Sequence, residues 1–117
     1  MARKLFIALL AILPMTVAAQ RNTQIPTTYK MEVAVWDTYV MKKDGTVMHF
    51  DILAPSSQRD TAVIHNYGRE YLRTKGQEGQ ALTTKECRFC HVESMRPKWA
   101  EQIKKQGYFI IEMEGCE

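Results

Sequence analysis

Two alternating runs separated by one turn constrain this chain more than anything else in it. Glu32 to Met41 reads EVAVWDTYVM and Thr46 to Leu53 reads TVMHFDIL. Both are rich in β-branched and aromatic residues, which suit a pleated, half-buried surface. Between them Lys42-Lys43-Asp44-Gly45 supplies a turn whose glycine can take positive φ. The pattern predicts a β-hairpin. With a loop of two or four residues, one face carries Val33, Val35, Asp37, Tyr39, Met41, Met48, Phe50 and Ile52. The opposite face then carries Trp36, Thr38, Val40, Val47, His49, Asp51 and Leu53. The first set is the more apolar and is expected to meet the core.

The elements that follow come from punctuation and period. Ala54-Pro55 ends the second strand, and Ser57 or Asp60 can cap a helix that runs to about Lys75 and stops at Gly76. Val63, Ile64, Tyr67, Tyr71 and Leu72 give that helix one apolar side, with His65 on its polar flank as a surface histidine. Gly68 costs the helix roughly 1 kcal/mol against alanine, so close packing on the sheet is expected there. Cys87 to Glu93 reads as a third strand, and Pro97 opens a second helix with Trp99, Ala100 and Ile103 on one side. Gly107 closes it, and Tyr108 to Glu114 forms the last strand. The expected fold is α+β, in the order β-β-α-β-α-β, with a single mixed sheet and two helices packed on one face.

The first 19 residues read differently. Arg3 and Lys4 precede an apolar run from Leu5 to Met15, and Val17 and Ala19 are small residues at the positions a signal peptidase reads. Residues 1–19 are therefore expected to be a signal peptide, and the run falls short of the roughly 20 apolar residues of a membrane span. Residues 20–31 are a polar linker containing Pro26, leaving residues 32–117 as the domain. Export to the periplasm or the medium follows, with no stable membrane anchor after cleavage. Without Arg3 and Lys4 the basic and acidic side chains nearly balance, and the longest basic run is Lys42-Lys43. That argues against nucleic acid as a partner.

Cys87-Arg88-Phe89-Cys90-His91 is the segment that most resembles chemistry. It matches C-x-x-C-H, in which two thiols bond haem vinyl groups and the histidine binds iron. Met95 or Met113 could supply a sixth ligand. Covalent haem is disfavoured because the motif lies in a strand-like pattern flanked by Lys85, Glu86, Glu93, Arg96 and Lys98. A second reading adds Cys116 and builds a zinc site from Cys87, Cys90, His91 and Cys116. Its difficulty is that neighbours Cys90 and His91 point opposite ways on a strand. A thiol–disulfide pair is a third reading, but no helix begins at Cys90 to lower a thiol pKa. The plainest account makes the three cysteines small apolar residues, one pair of which can close a disulfide. On that account no cofactor is expected.

A polar patch is the remaining candidate site. Trp36, Thr38, His49 and Asp51 share one face in the expected register and suit acid–base work, with Asp37 on the opposite face. The ordinary alternative is a solvated sheet surface with cross-strand polar pairs.

Residues 31 to 116 resemble a small bacterial family known only as a domain of unknown function. The resemblance lies in VAVWDTYV (33–40), DGTVMHFDI (44–52), YGREYL (67–72), KGQEGQ (75–80), KECRFCH (85–91) and IIEMEGC (110–116). It implies an α+β fold, no assigned activity and no catalytic residue to carry over, and it weakens the haem reading. Members of that family begin at the position of Met31 and look cytoplasmic, so this chain is cytoplasmic if Met31 is its true start. The leading expectation is a non-enzymatic binding or structural module, able to form a homodimer through an exposed hairpin edge. A metal or thiol-redox protein is the alternative, and a c-type haem electron carrier ranks third.

Overall fold

Strand β1 (Glu32–Met41) and strand β2 (Val47–Pro55) form the expected hairpin. They are followed by helix α1 (Thr61–Thr74), strand β3 (Cys87–Ser94), helix α2 (Pro97–Gln106) and strand β4 (Phe109–Glu114). The computed structural model describes residues 31–117 together with Lys4, Ala11 and Pro14. The leader (1–19) and the linker (20–31) otherwise lie outside the described residues. Among those residues no helix is long and apolar enough to cross a membrane.

The element order and the single four-stranded sheet agree with the sequence reading. Three details do not. First, the sheet runs β3-β1-β2-β4 and every neighbouring pair is antiparallel, so it is not mixed. Second, the hairpin has no free edge, because β3 and β4 flank it on both sides. Third, the helices lie on opposite faces. Helix α1 packs Ile64, Tyr71 and Leu72 onto Ala34, Trp36, Val40, Met48, Phe50, Ile52 and Ala54. Helix α2 packs Trp99 and Ile103 onto Val33, Val35 and Leu53, with Phe109 and Ile111 beside them.

The turn explains the faces. Val33 pairs with Pro55, Asp37 with Asp51, Tyr39 with His49 and Met41 with Val47. That leaves an odd number of residues between the last pair. The Gly45 amide donates to the Lys42 carbonyl and the Lys42 amide to the Thr46 carbonyl, at 2.9 and 2.7 Å. Gly45 takes φ 86°, the left-handed residue that closes a turn of this kind. Asp44 fixes the turn by accepting from the Thr46 amide and hydroxyl at 2.9 and 2.7 Å. Relative to an even loop, each β2 side chain changes face against β1. The result is better segregated than the expected one: even-numbered residues of both strands face α1, and odd-numbered residues face α2.

Both helices use the expected punctuation. Asp60 caps α1 by accepting from the Ala62 amide at 2.9 Å. A Cβ on Gly68 would fall 2.5 Å from Leu82 Cδ1 and 3.1 Å from Ile52 Cδ1, so α1 sits close on the sheet there. Pro97 stands at the first turn of α2, and Gly107 ends it at φ 97°. The Tyr71 hydroxyl donates to Glu112 and Lys75 pairs with the same carboxylate at 2.9 Å, tying α1 to the edge strand β4. His65 is buried at 8 % exposure, not on the surface as expected. Burial holds its imidazole below the usual histidine range, with the Arg69 charge acting the same way.

Candidate functional site

Helix α2 covers only one end of its face. The hydrophobic residues it meets belong to the Val33, Val35 and Leu53 end of the hairpin. Towards the turn the same face continues through Asp37, Tyr39 and Met41 on β1, paired with Asp51, His49 and Val47 on β2. Here Tyr39, Met41 and Val47 are 49 %, 62 % and 51 % exposed. Asp37, His49 and Asp51 each bring one ligand atom to within 4.8 Å of the others.

His49 is held from two sides. Its Nε2 lies 2.6 Å from Asp37 Oδ1, across the two central strands. Its ring stacks on Tyr39 with centroids 4.0 Å apart and planes inclined by 11°. Asp51 is only 8 % exposed. Burial is the main reason its carboxyl is pushed up to about 6, and the adjoining Asp37 carboxylate adds to it while His49 and His91 oppose it. Among the described residues no lysine or arginine lies within ion-pair distance of Asp37 or Asp51. Asp37 contacts the imidazole directly, and Asp51 lies within 4.8 Å of both.

The edge strands are bent towards this cluster by one extra residue each. On β3, Val35 pairs with His91 and Trp36 with Phe89, leaving Cys90 as a bulge. On β4, His49 pairs with Glu114 and Phe50 with Glu112, leaving Met113 as another. Each bulge reverses the alternation beyond it. His91 and Glu114 therefore join the face that carries Asp37, His49 and Asp51. His91 Nε2 is 2.7 Å from Glu93 Oε1.

The expected polar patch is divided by the true register. His49 and Asp51 remain together, but Trp36 and Thr38 point into the α1 core at 5 % and 0 % exposure. The Thr38 hydroxyl donates to the Trp36 carbonyl at 3.1 Å. Asp37, expected on the other face, takes their place beside His49. A signal for this was available in the sequence. Pairing odd with odd gathers Asp37, Tyr39, His49 and Asp51 on one face and leaves the other almost wholly apolar, and burial favours such segregation.

The four residues of the alternative zinc reading are not brought together. Cys87 is buried beside Thr38 on the α1 face, Cys90 is exposed at the bulge and His91 faces the other way. Cys116 follows β4 at the far edge of the sheet, its Sγ 3.3 Å from the carbonyls of His49 and Glu114. Two central strands separate it from Cys87, roughly 14 Å at the usual strand spacing. Burial pushes the Cys87 thiol up, away from the reactive thiolate. Of the two thiols of the C-x-x-C-H motif, that of Cys87 is buried and that of Cys90 exposed.

A family described as domain of unknown function (DUF2024) matches residues 31–113. Among solved structures, the NMR structure of protein NE1680 from Nitrosomonas europaea is similar, with 45 % sequence identity and a TM-score of 0.64. The alignment covers 74 % of this chain and 100 % of that one. No curated protein matches the chain. With the family match spanning the whole hairpin, both helices and most of β4, this chain belongs to the DUF2024 family.

Proposed function

We propose that this protein is a non-enzymatic binding module that receives its ligand on the open half of the α2 face. One observation carries the reading: α2 stops short of the turn end of the sheet, where Asp37, His49 and Asp51 converge next to exposed Tyr39, Met41 and Val47. Exposed apolar side chains grouped beside polar ones suit a recognition surface, whereas scattered exposed residues need no explanation. Exposed Tyr39, Met41 and Val47 leave the turn end of this face accessible to a partner. Binding is the simpler use of such a face.

The test is a thermal-shift panel on the full chain and on the Asp37→Asn/His49→Ala double variant. The probes are zinc and manganese ions, inorganic phosphate, and one acidic and one basic peptide. At least one probe is expected to raise the midpoint of the parent protein by about 2 °C or more, with that rise lost in the variant. If no probe stabilises the parent, or every stabilising probe acts equally on both proteins, the reading is wrong.

A further inference from the structure

We infer that Asp37, His49 and Asp51 are the protein ligands of a divalent transition-metal ion. This rests on the binding-face reading and names the ligand class for it. The three donor atoms come from adjacent central strands and lie within 4.8 Å of one another. Donors about 2.0–2.2 Å from a common ion stand roughly 3 Å or a little more from each other, so small rotations about the aspartate side chains close the set. His49 needs none of that adjustment, since its ring is fixed by the Tyr39 stack and already aims Nε2 at Asp37.

A second observation points the same way. Asp51 is more than nine-tenths buried and faces the cluster without a lysine or arginine partner. Arg88 stands opposite Asp37 on β3 and His91 shares the face, but neither lies within ion-pair distance of the two aspartates, and a buried carboxylate so placed favours a cation at close range. A divalent ion placed among the three side chains would engage all of them at once.

The donor set narrows the ion. One imidazole nitrogen with two carboxylate oxygens suits zinc, manganese, iron(II), cobalt or nickel, whereas calcium prefers an all-oxygen shell and copper(I) prefers sulfur. Three protein ligands leave coordination positions open towards the uncovered side of the sheet. The two cysteines of the C-x-x-C-H segment are not in the donor set, because Cys87 lies on the other face and Cys90 stands at the bulge, while His91 shares the face but is paired with Glu93.

Calorimetric titration of the chelator-stripped full chain with zinc and with manganese tests this, alongside His49→Ala, Asp51→Asn and Cys90→Ser variants. Expected are one ion per chain and at least about tenfold weaker binding in the His49 and Asp51 variants. Cys90→Ser should bind as the parent does, and circular dichroism should show Asp51→Asn folded. Binding that survives both site variants but is lost in Cys90→Ser overturns the assignment. So does the absence of binding by either ion. If the thermal-shift panel still places phosphate or a peptide on this face, only the metal assignment fails; if nothing binds there, both readings fail.

Discussion

The two faces of the sheet are made from the same strands and reach opposite outcomes. Under α1 the even-numbered residues form a continuous apolar layer, with Val40, Met48, Phe50 and Ile52 fully buried and Leu82 closing the side. Under α2 the odd-numbered residues change character midway, from Val33, Val35 and Leu53 to Asp37, Tyr39, His49 and Asp51. Each helix is short, and a shorter α2 meeting a half-apolar face can bury only the apolar half. One face therefore supplies most of the stability, and the other keeps a polar surface that burial does not reward. Stability and recognition are divided between the two sides of a single sheet.

The largest effect should come from breaking the sealed face. Phe50→Ala is expected to destabilise the protein by about 3–5 kcal/mol, through lost burial and a cavity beneath Tyr71. Val47→Ala at the open end should change stability by less than about 0.5 kcal/mol. Denaturant midpoints with unchanged slopes would measure both. Equal costs at the two positions would mean that the open half is covered in solution.

A smaller effect separates the faces by pH. Asp51 titrates near 6 in the fold, above its ordinary value. A carboxyl whose folded pKa is raised contributes no penalty while protonated in both states, below about pH 4. The penalty then grows as pH rises towards 6 and is complete above it. With allowance for solvent screening, metal-free protein should lose on the order of 1–2 kcal/mol between pH 4 and 7 through this group. Asp51→Asn should remove that slope and raise the melting temperature at pH 7. A stabilised variant that no longer binds metal would identify Asp51 as a residue kept for its ligand. Loss of stability in Asp51→Asn at pH 7 would contradict the account.

The smallest change tests what sets the faces apart. Gly45 has φ 86° and open space around its missing side chain, so Gly45→Ala brings backbone strain without a clash. A cost of about 1 kcal/mol is expected, with the hairpin register retained. Cross-strand contacts between Asp37 and Asp51, read by NMR, check the register. Their replacement by pairs of opposite parity would show that the glycine alone selects the pairing.

Much of the fold could be read locally because its determinants are local. The Asp60 cap, Pro97 at the start of α2, the left-handed Gly107 and the close approach at Gly68 each rest on one residue's conformational or steric preference. The candidate site was half legible. His49 and Asp51 were named from their types and spacing, but Asp37 was assigned to the wrong face and Trp36 and Thr38 were wrongly included. An even loop and an odd loop are both compatible with Lys-Lys-Asp-Gly, and one residue of difference exchanges every cross-strand neighbour. The C-x-x-C-H motif was hard to place for a related reason, since spacing along a chain says little about direction once a bulge intervenes.

By itself, then, the sequence determined the number, kind and order of the elements and, to within a few residues, where each helix starts and stops. Tertiary structure alone decided the parity of the hairpin, the bulges at Cys90 and Met113, and the placement of the helices on opposite faces. The reason is physical. Caps and turns are satisfied within a few residues, whereas the face a side chain takes depends on which pairing buries the most apolar surface across the whole sheet. Asp37, His49 and Asp51 come together only after that larger competition is resolved.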